Sequence, residues 1–222
     1  MDVPFVGDAE IRIDGALDEP AWTTAAKTGA FVGARSGQPQ PGPLQGRARV
    51  FWDSAYLYVA FEIDDARVRG GFPADAIDPH LWERDTAEIM IDPDGGDNRD
   101  YYEIQINPQA LVFDSQFDDY NAPRGGPAGP FGHESWSSKA ERAVKIAGTL
   151  DDDADRDHGY VVEARIPFAA FDKAKRSPPS PGDTWKMNLY AMQDNGGVAW
   201  SPILGEGNFH RVRYFGDVTF VR

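Results

Sequence analysis

From residue 81 to residue 117 the chain alternates apolar and polar side chains in three runs. Ala87, Ile89 and Ile91 alternate with Glu88 and Met90, and Tyr102, Ile104 and Ile106 alternate with Tyr101, Glu103, Gln105 and Asn107. A period of two is the signature of a strand with one face on a core. Asp92-Pro93-Asp94-Gly95-Gly96-Asp97-Asn98 and Asn107-Pro108-Gln109-Ala110 supply the turns between these runs. The non-core face then offers Glu88, Glu103, Gln105 and Asn107, with Trp82 upstream in the same parity as Glu88. Hydrogen-bonding side chains beside an indole suit a pyranose, which has an apolar face to stack and a rim of hydroxyls to bond.

The same pattern predicts elements along the rest of the chain. Ile11-Arg12-Ile13 reads as a short strand, and Leu17 to Trp22 as a helix start with Asp18 or Glu19 near the N-cap, Pro20 in the first turn and Trp22 anchoring the turn on the core. Residues 36–46 are too rich in Gly and Pro for regular structure. Residues 47–52 and 56–64 form a hairpin whose second strand, apolar on both parities, is expected to be central and covered on both sides. Residues 66–80 and 118–136 read as loops, the second long enough to suggest a functional role. Strands are predicted at 139–150, 159–166, 184–192, 198–201 and 214–221, with one helical turn at 167–171. About ten short strands and one or two short helices indicate an all-β chain, an antiparallel β-sandwich of immunoglobulin-like or DOMON-like type, expected to form one domain over residues 1–222.

Composition narrows the function classes. A net charge of −14 argues against nucleic acid or an anionic membrane as partner, because the field repels phosphates. With no cysteine there is no disulfide framework, thiolate metal site or catalytic thiol. No apolar run approaches the roughly 20 residues of a membrane span, so membrane insertion is not expected. The acidic turn around Asp92, Asp94, Asp97 and Asp100 offers oxygen ligands with glycines that permit a tight wrap, as calcium requires, but lacks the closing glutamate of an EF-hand. Residues 151–157 are a second acidic candidate. Both loops also read as plain solvated turns.

The series IDGALDEPAW, VFWDSAYLYVAFEIDD, LWERDTAEIMIDPDGG, YYEIQINPQALVFD, GYVVEARIPF, GDTWKMNLY and NFHRVRYFGDVTF resembles carbohydrate-binding module family 9 and its single-domain relatives, in the family's order and over essentially the whole chain. The resemblance implies a DOMON-like sandwich, structural calcium, and a glucose- or xylose-type unit held between aromatic rings, often at a glycan chain end. Position by position, it sets Trp82 as the first stacking residue, within Trp82-Glu83-Arg84-Asp85, and Glu88 as the acid that bonds sugar hydroxyls. Gln105 stands where the best-known members carry arginine, and Tyr190 where they carry glutamine. Phe209, with His210 beside it, occupies the region of the second stacking tryptophan ahead of Phe215-Gly216.

Other readings remain. Trp82 also reads as a core residue and Glu88 as a solvated strand residue. A glycoside hydrolase needs two carboxylates about 5–10 Å apart across a cleft, for which Glu88 and Glu103 are the candidates, but no other catalytic motif accompanies them. Some relatives of the sandwich hold haem, and Met90, Met187 and Met192 with four histidines leave that alternative open. A structural envelope module is a third. The preferred expectation is a non-catalytic carbohydrate-binding module, with a glycan ligand and an attached or co-secreted glycan-active enzyme as partners. Such a protein acts outside the cytoplasm, so an export signal in the precursor and a secreted, periplasmic or cell-surface location are expected.

Overall fold

The computed structural model describes residues 1–7, 10–93, 95, 97–125, 131–205 and 207–222. Its strands are β1 (Asp2–Pro4), β2 (Ala26–Lys27), β3 (Val32–Gly33), β4 (Gln45–Trp52), β5 (Tyr56–Asp64), β6 (Thr86–Asp92), β7 (Tyr101–Ile106), β8 (Val112–Phe117), β9 (Glu141–Ala147), β10 (Gly159–Pro167), β11 (Thr184–Gln193), β12 (Gly196–Ala199) and β13 (Gly216–Val221). One helix, α1 (Pro20–Thr24), and three single 3-10 turns complete the described elements. Two sheets result. The smaller runs β2-β4-β5-β10-β9; the larger runs β1-β13-β11-β6-β7-β8, with β12 on β11 and β3 on β12. The pairs are antiparallel except β1 with β13, and the two sheets face each other as a β-sandwich.

The core between the sheets is the one the alternation predicts. Leu57, Val59, Phe61 and Ile63 of β5 and Val162, Ala164 and Ile166 of β10 meet Ile89 and Ile91 of β6, Ile104 and Ile106 of β7, and Met187 and Leu189 of β11. Strand β5 is the middle strand of its sheet and buried on both faces. Its second face carries Tyr58 and Ala60 under a lid from the N-terminal segment, where Trp22 packs edge-on against Phe51 at 4.6 Å and its indole N–H donates to Glu163 Oε1 at 3.0 Å.

The larger sheet is likewise covered on its second face. Met90, Tyr101, Phe117, Tyr190 and Met192 form a separate apolar cluster there with Val212 and Phe215. Every residue of β6 and β7 is therefore buried, where the alternation alone suggested strands with one wet face.

Three differences from the sequence reading have local causes. Residues 11–13 make no strand; Ile11 is buried in the N-terminal lid, and Arg12 and Asp14 bond within it or to Glu163. Strands β1, β2 and β3 were not anticipated, because two or three residues carry no readable period and are held by partners distant in sequence. The acidic stretch 151–157 is a tie between loops. Asp157 accepts backbone N–H bonds from Val68 and Thr149 at 2.6 and 2.7 Å, Asp151 accepts from Gly70 and Gly71, and Arg69 pairs with Asp153 at 2.7 Å.

Candidate functional site

Register aligns the outward side chains of the larger sheet into two rows. One row crosses four strands as Tyr190, Glu88, Gln105 and Phe113, and the next as Asn188, Met90, Glu103 and Ser115. Strand alternation keeps both rows off the inter-sheet core. Loops roof them incompletely: Trp82 comes from the 3-10 turn Leu81–Glu83, Phe131 from the long loop after β8, and Phe209 and His210 from the loop before β13. A cleft of about 270 Å³ remains, with Glu88, Met90, Glu103, Gln105 and Met192 as floor and these four loop residues as walls. Exposed Arg35 and Asn195, with Asn208, also line it.

The floor is polar and short of donors. The Gln105 side-chain amide donates to Glu103 Oε1 at 2.6 Å and to Glu88 Oε2 at 3.2 Å. Glu88 and Glu103 are only 2% and 4% exposed. Burial raises the Glu103 carboxyl to about 7 despite the Gln105 bond. Burial, reinforced by the Glu103 charge, holds Glu88 well above the usual carboxylate range. Two acids that accept from the same amide nitrogen lose their protons in separate steps rather than together. Among the described residues, Glu88 Oε1 and Gln105 Oε1 are buried without a hydrogen-bond partner. A buried acceptor left empty costs about 1–3 kcal/mol, so the floor carries two unmet acceptors side by side.

His210 adds no positive charge. Burial lowers its imidazolium to about 3, and Nε2 stands 3.7 Å from Glu103 Oε2, beyond hydrogen-bond length. The Tyr101 hydroxyl, which accepts the Asn121 N–H at 3.1 Å, lies 3.0 Å from His210 Nδ1.

The walls are aromatic. Trp82 is half-buried and stacks on His80 at 4.5 Å and on Phe131 at 5.8 Å, with Phe113 edge-on at 5.1 Å, so three neighbours fix the plane of its indole. Phe209 meets Tyr190 edge-on at 5.4 Å and carries the Arg35 guanidinium over its ring at 5.2 Å.

Of the six side chains expected to hold a ligand, the fold brings five, Trp82, Glu88, Gln105, Phe209 and His210, to one cleft. Tyr190 lies beneath it. It is fully buried, and its hydroxyl donates to the Phe209 carbonyl at 3.0 Å while accepting from the Asn188 amide at 2.6 Å. It therefore braces the Phe209 wall. Asn107 also leaves the platform: its carbonyl oxygen accepts the Gln109 and Leu111 N–H groups and closes the β7–β8 turn. Phe131, Arg35, Asn195 and Asn208 belong to the cleft but were not singled out, and Met192 was named only for the haem alternative. Loop residues carry no period, and the one available signal was the exposed aromatics of the long loop.

Three of the four acidic residues expected in the turn after β6 lie among the described residues. Asp92 is buried and accepts the Gly95 N–H at 3.2 Å; Asp97 accepts the Arg99 N–H at 3.1 Å; Asp100 has a left-handed backbone with φ of 51°. Asp94 lies outside the described residues. Among the described residues no three carboxylate or imidazole groups gather as a metal ion requires.

Solved structures share this architecture over nearly the whole chain. A candidate carbohydrate-binding protein from Bacteroides uniformis matches with a TM-score of 0.73 at 20% identity, over 99% of this chain and 98% of its own. A carbohydrate-binding module of family 9 from Caldicellulosiruptor kristjanssonii, in complex with cellotriose, matches at 0.64 and 16% identity over 100% of this chain and 94% of its own. Its glucose complex matches at 0.60 and 16% identity, over 100% and 97%. Identities this low speak for the fold alone. No curated protein matches the sequence at a significant level. The carbohydrate family 9 binding domain-like model matches residues 13–221, nearly the whole of both sheets and every described residue of the cleft, and the chain belongs to that family.

Proposed function

We propose that this protein is a non-catalytic carbohydrate-binding module whose ligand, a gluco- or xylo-configured unit, sits in the cleft over β6 and β7. The observation that carries the reading is the pairing of aromatic walls with a donor-poor floor. Trp82, Phe131 and Phe209 supply ring faces, while buried Glu88 Oε1 and Gln105 Oε1 lack partners. A pyranose offers what is missing on both counts, apolar C–H faces for the rings and hydroxyl donors for the acceptors. A volume of about 270 Å³ lies at the small end of ligand sites, nearer a sugar unit than a haem macrocycle.

Binding without turnover also fits the carboxylates. A glycosidase places its two acids on either side of the scissile bond, whereas Glu88 and Glu103 both accept from one amide nitrogen and so lie together on one floor. Family membership and the family 9 complexes with cellotriose and glucose support the same reading. An attached or co-secreted glycan-active enzyme, an extracytoplasmic location and calcium in the turn after β6 belong to the proposal. A glycan array tests it. Retention of β-linked gluco- or xylo-oligosaccharides is expected, and an array on which no glycan is retained would overturn it.

A further inference from the structure

The cleft is lopsided in charge. Its floor holds two buried carboxyls, Glu88 and Glu103, and the lining residue nearest to them that could carry positive charge, His210, is kept neutral by burial. Arg35 is exposed, donates to the Gly207 carbonyl at 2.9 Å and lies over the Phe209 ring. Gln105 gives one amide to both acids but brings no charge. Hydroxyl donors satisfy the empty acceptors, yet they leave the charge as it was. A cationic donor satisfies both, and Trp82, Phe131 and Phe209 wall the same space with rings whose faces attract cations. The net charge of −14 draws cations towards the domain.

Resting on the carbohydrate reading above, we infer that the preferred ligand is an amino sugar, a glucosamine-type unit whose protonated primary amine seats between Glu88 and Glu103. The ammonium donates to Glu88 Oε1 and to Glu103, and the ring stacks on the aromatic walls. Because burial raises both carboxyls, the empty floor holds a proton near neutral pH. Seating the ammonium ionises the pair and releases that proton to solvent.

Isothermal titration at pH 7 of β-1,4-linked glucosamine trimer, its fully N-acetylated counterpart, cellotriose and trilysine tests this, each in two buffers of different ionisation enthalpy. The glucosamine trimer should bind one to one and at least tenfold tighter than each of the other three, with proton release. Glu103→Gln should reduce its lead over cellotriose to threefold or less with Tm no lower than that of the wild type. Should that variant fail to fold, Glu88→Gln carries the same expectation. If cellotriose or the acetylated trimer binds as well as the amine, the charge inference falls and the carbohydrate reading stands. Equal binding of trilysine means that the acidic surface alone attracts the amine, and also overturns the inference. If none of the three sugars binds, the inference falls, and the carbohydrate reading falls with it only if the glycan array also retains nothing.

Discussion

At the scale of single residues, the site divides into groups that meet the cleft and groups that hold those in place. Glu88 and Gln105 were legible because period-2 alternation assigns faces without knowledge of the fold, and register then sets them side by side on β6 and β7. Alternation says nothing of depth, which is why Tyr190, next to Glu88 on β11, read as a rim residue although it is completely covered. Tyr190→Phe separates these roles. It removes the hydroxyl that bonds the Phe209 carbonyl and leaves the Asn188 amide one partner fewer. The expected outcome is a loss of about 1 kcal/mol in denaturant stability, with a severalfold weaker glycan affinity through a loosened Phe209 wall. Unchanged stability with a large affinity loss would mean that the hydroxyl touches the ligand directly.

At the scale of elements, strands of six or more residues could be read from the sequence, since their apolar parity repeats often enough to stand out, as in β5, β10 and β11. Strands β1 to β3 could not, because their pairing is decided by tertiary partners. The start of β10 shows how tightly an element's entry is specified. Gly159 has φ of +120°, and a Cβ there would lie 1.9 Å from the Ile63 carbonyl oxygen on β5. Gly159→Ala must therefore shift backbone at the centre of the smaller sheet. A stability loss of about 2 kcal/mol or more by urea unfolding is expected, whereas a silent substitution would show that this crossing is looser than the structure has it. The turn after β6 is where calcium is proposed. Binding to the folded state alone raises Tm by mass action, so exhaustive chelation should lower Tm, and restored calcium should recover it. An unchanged melting curve together with no metal by elemental analysis would remove calcium from the account.

At the scale of the whole molecule, a sandwich covered on both faces of both sheets buries several carboxyls. Burial raises Glu103 and Asp85 to about 7, and raises Asp65 and Glu88 as well. Each such group keeps a proton when folded that it loses when unfolded. Its stabilisation is full below the unfolded pKa near 4 and is lost as pH rises towards the folded value. His210, lowered to about 3, acts oppositely, since only the unfolded chain takes up its proton between about 3 and 6.5. Several raised acids outweigh one lowered histidine. Tm should therefore fall by several degrees from pH 5 to pH 7.5, less steeply in Glu103→Gln, and a Tm that rises over that range would contradict the buried floor of raised carboxyls. What the sequence could not reveal was this floor's depth and the Phe131 wall, both owed to loops with no period of their own. Whether the aromatic walls bind sugar is read from the titration of Trp82→Ala with a glycan that the wild type retains. Stacking and buried area together predict at least a tenfold loss of affinity, with Tm within a few degrees of the wild type because Trp82 is only half-buried. An affinity equal to that of the wild type would contradict the site.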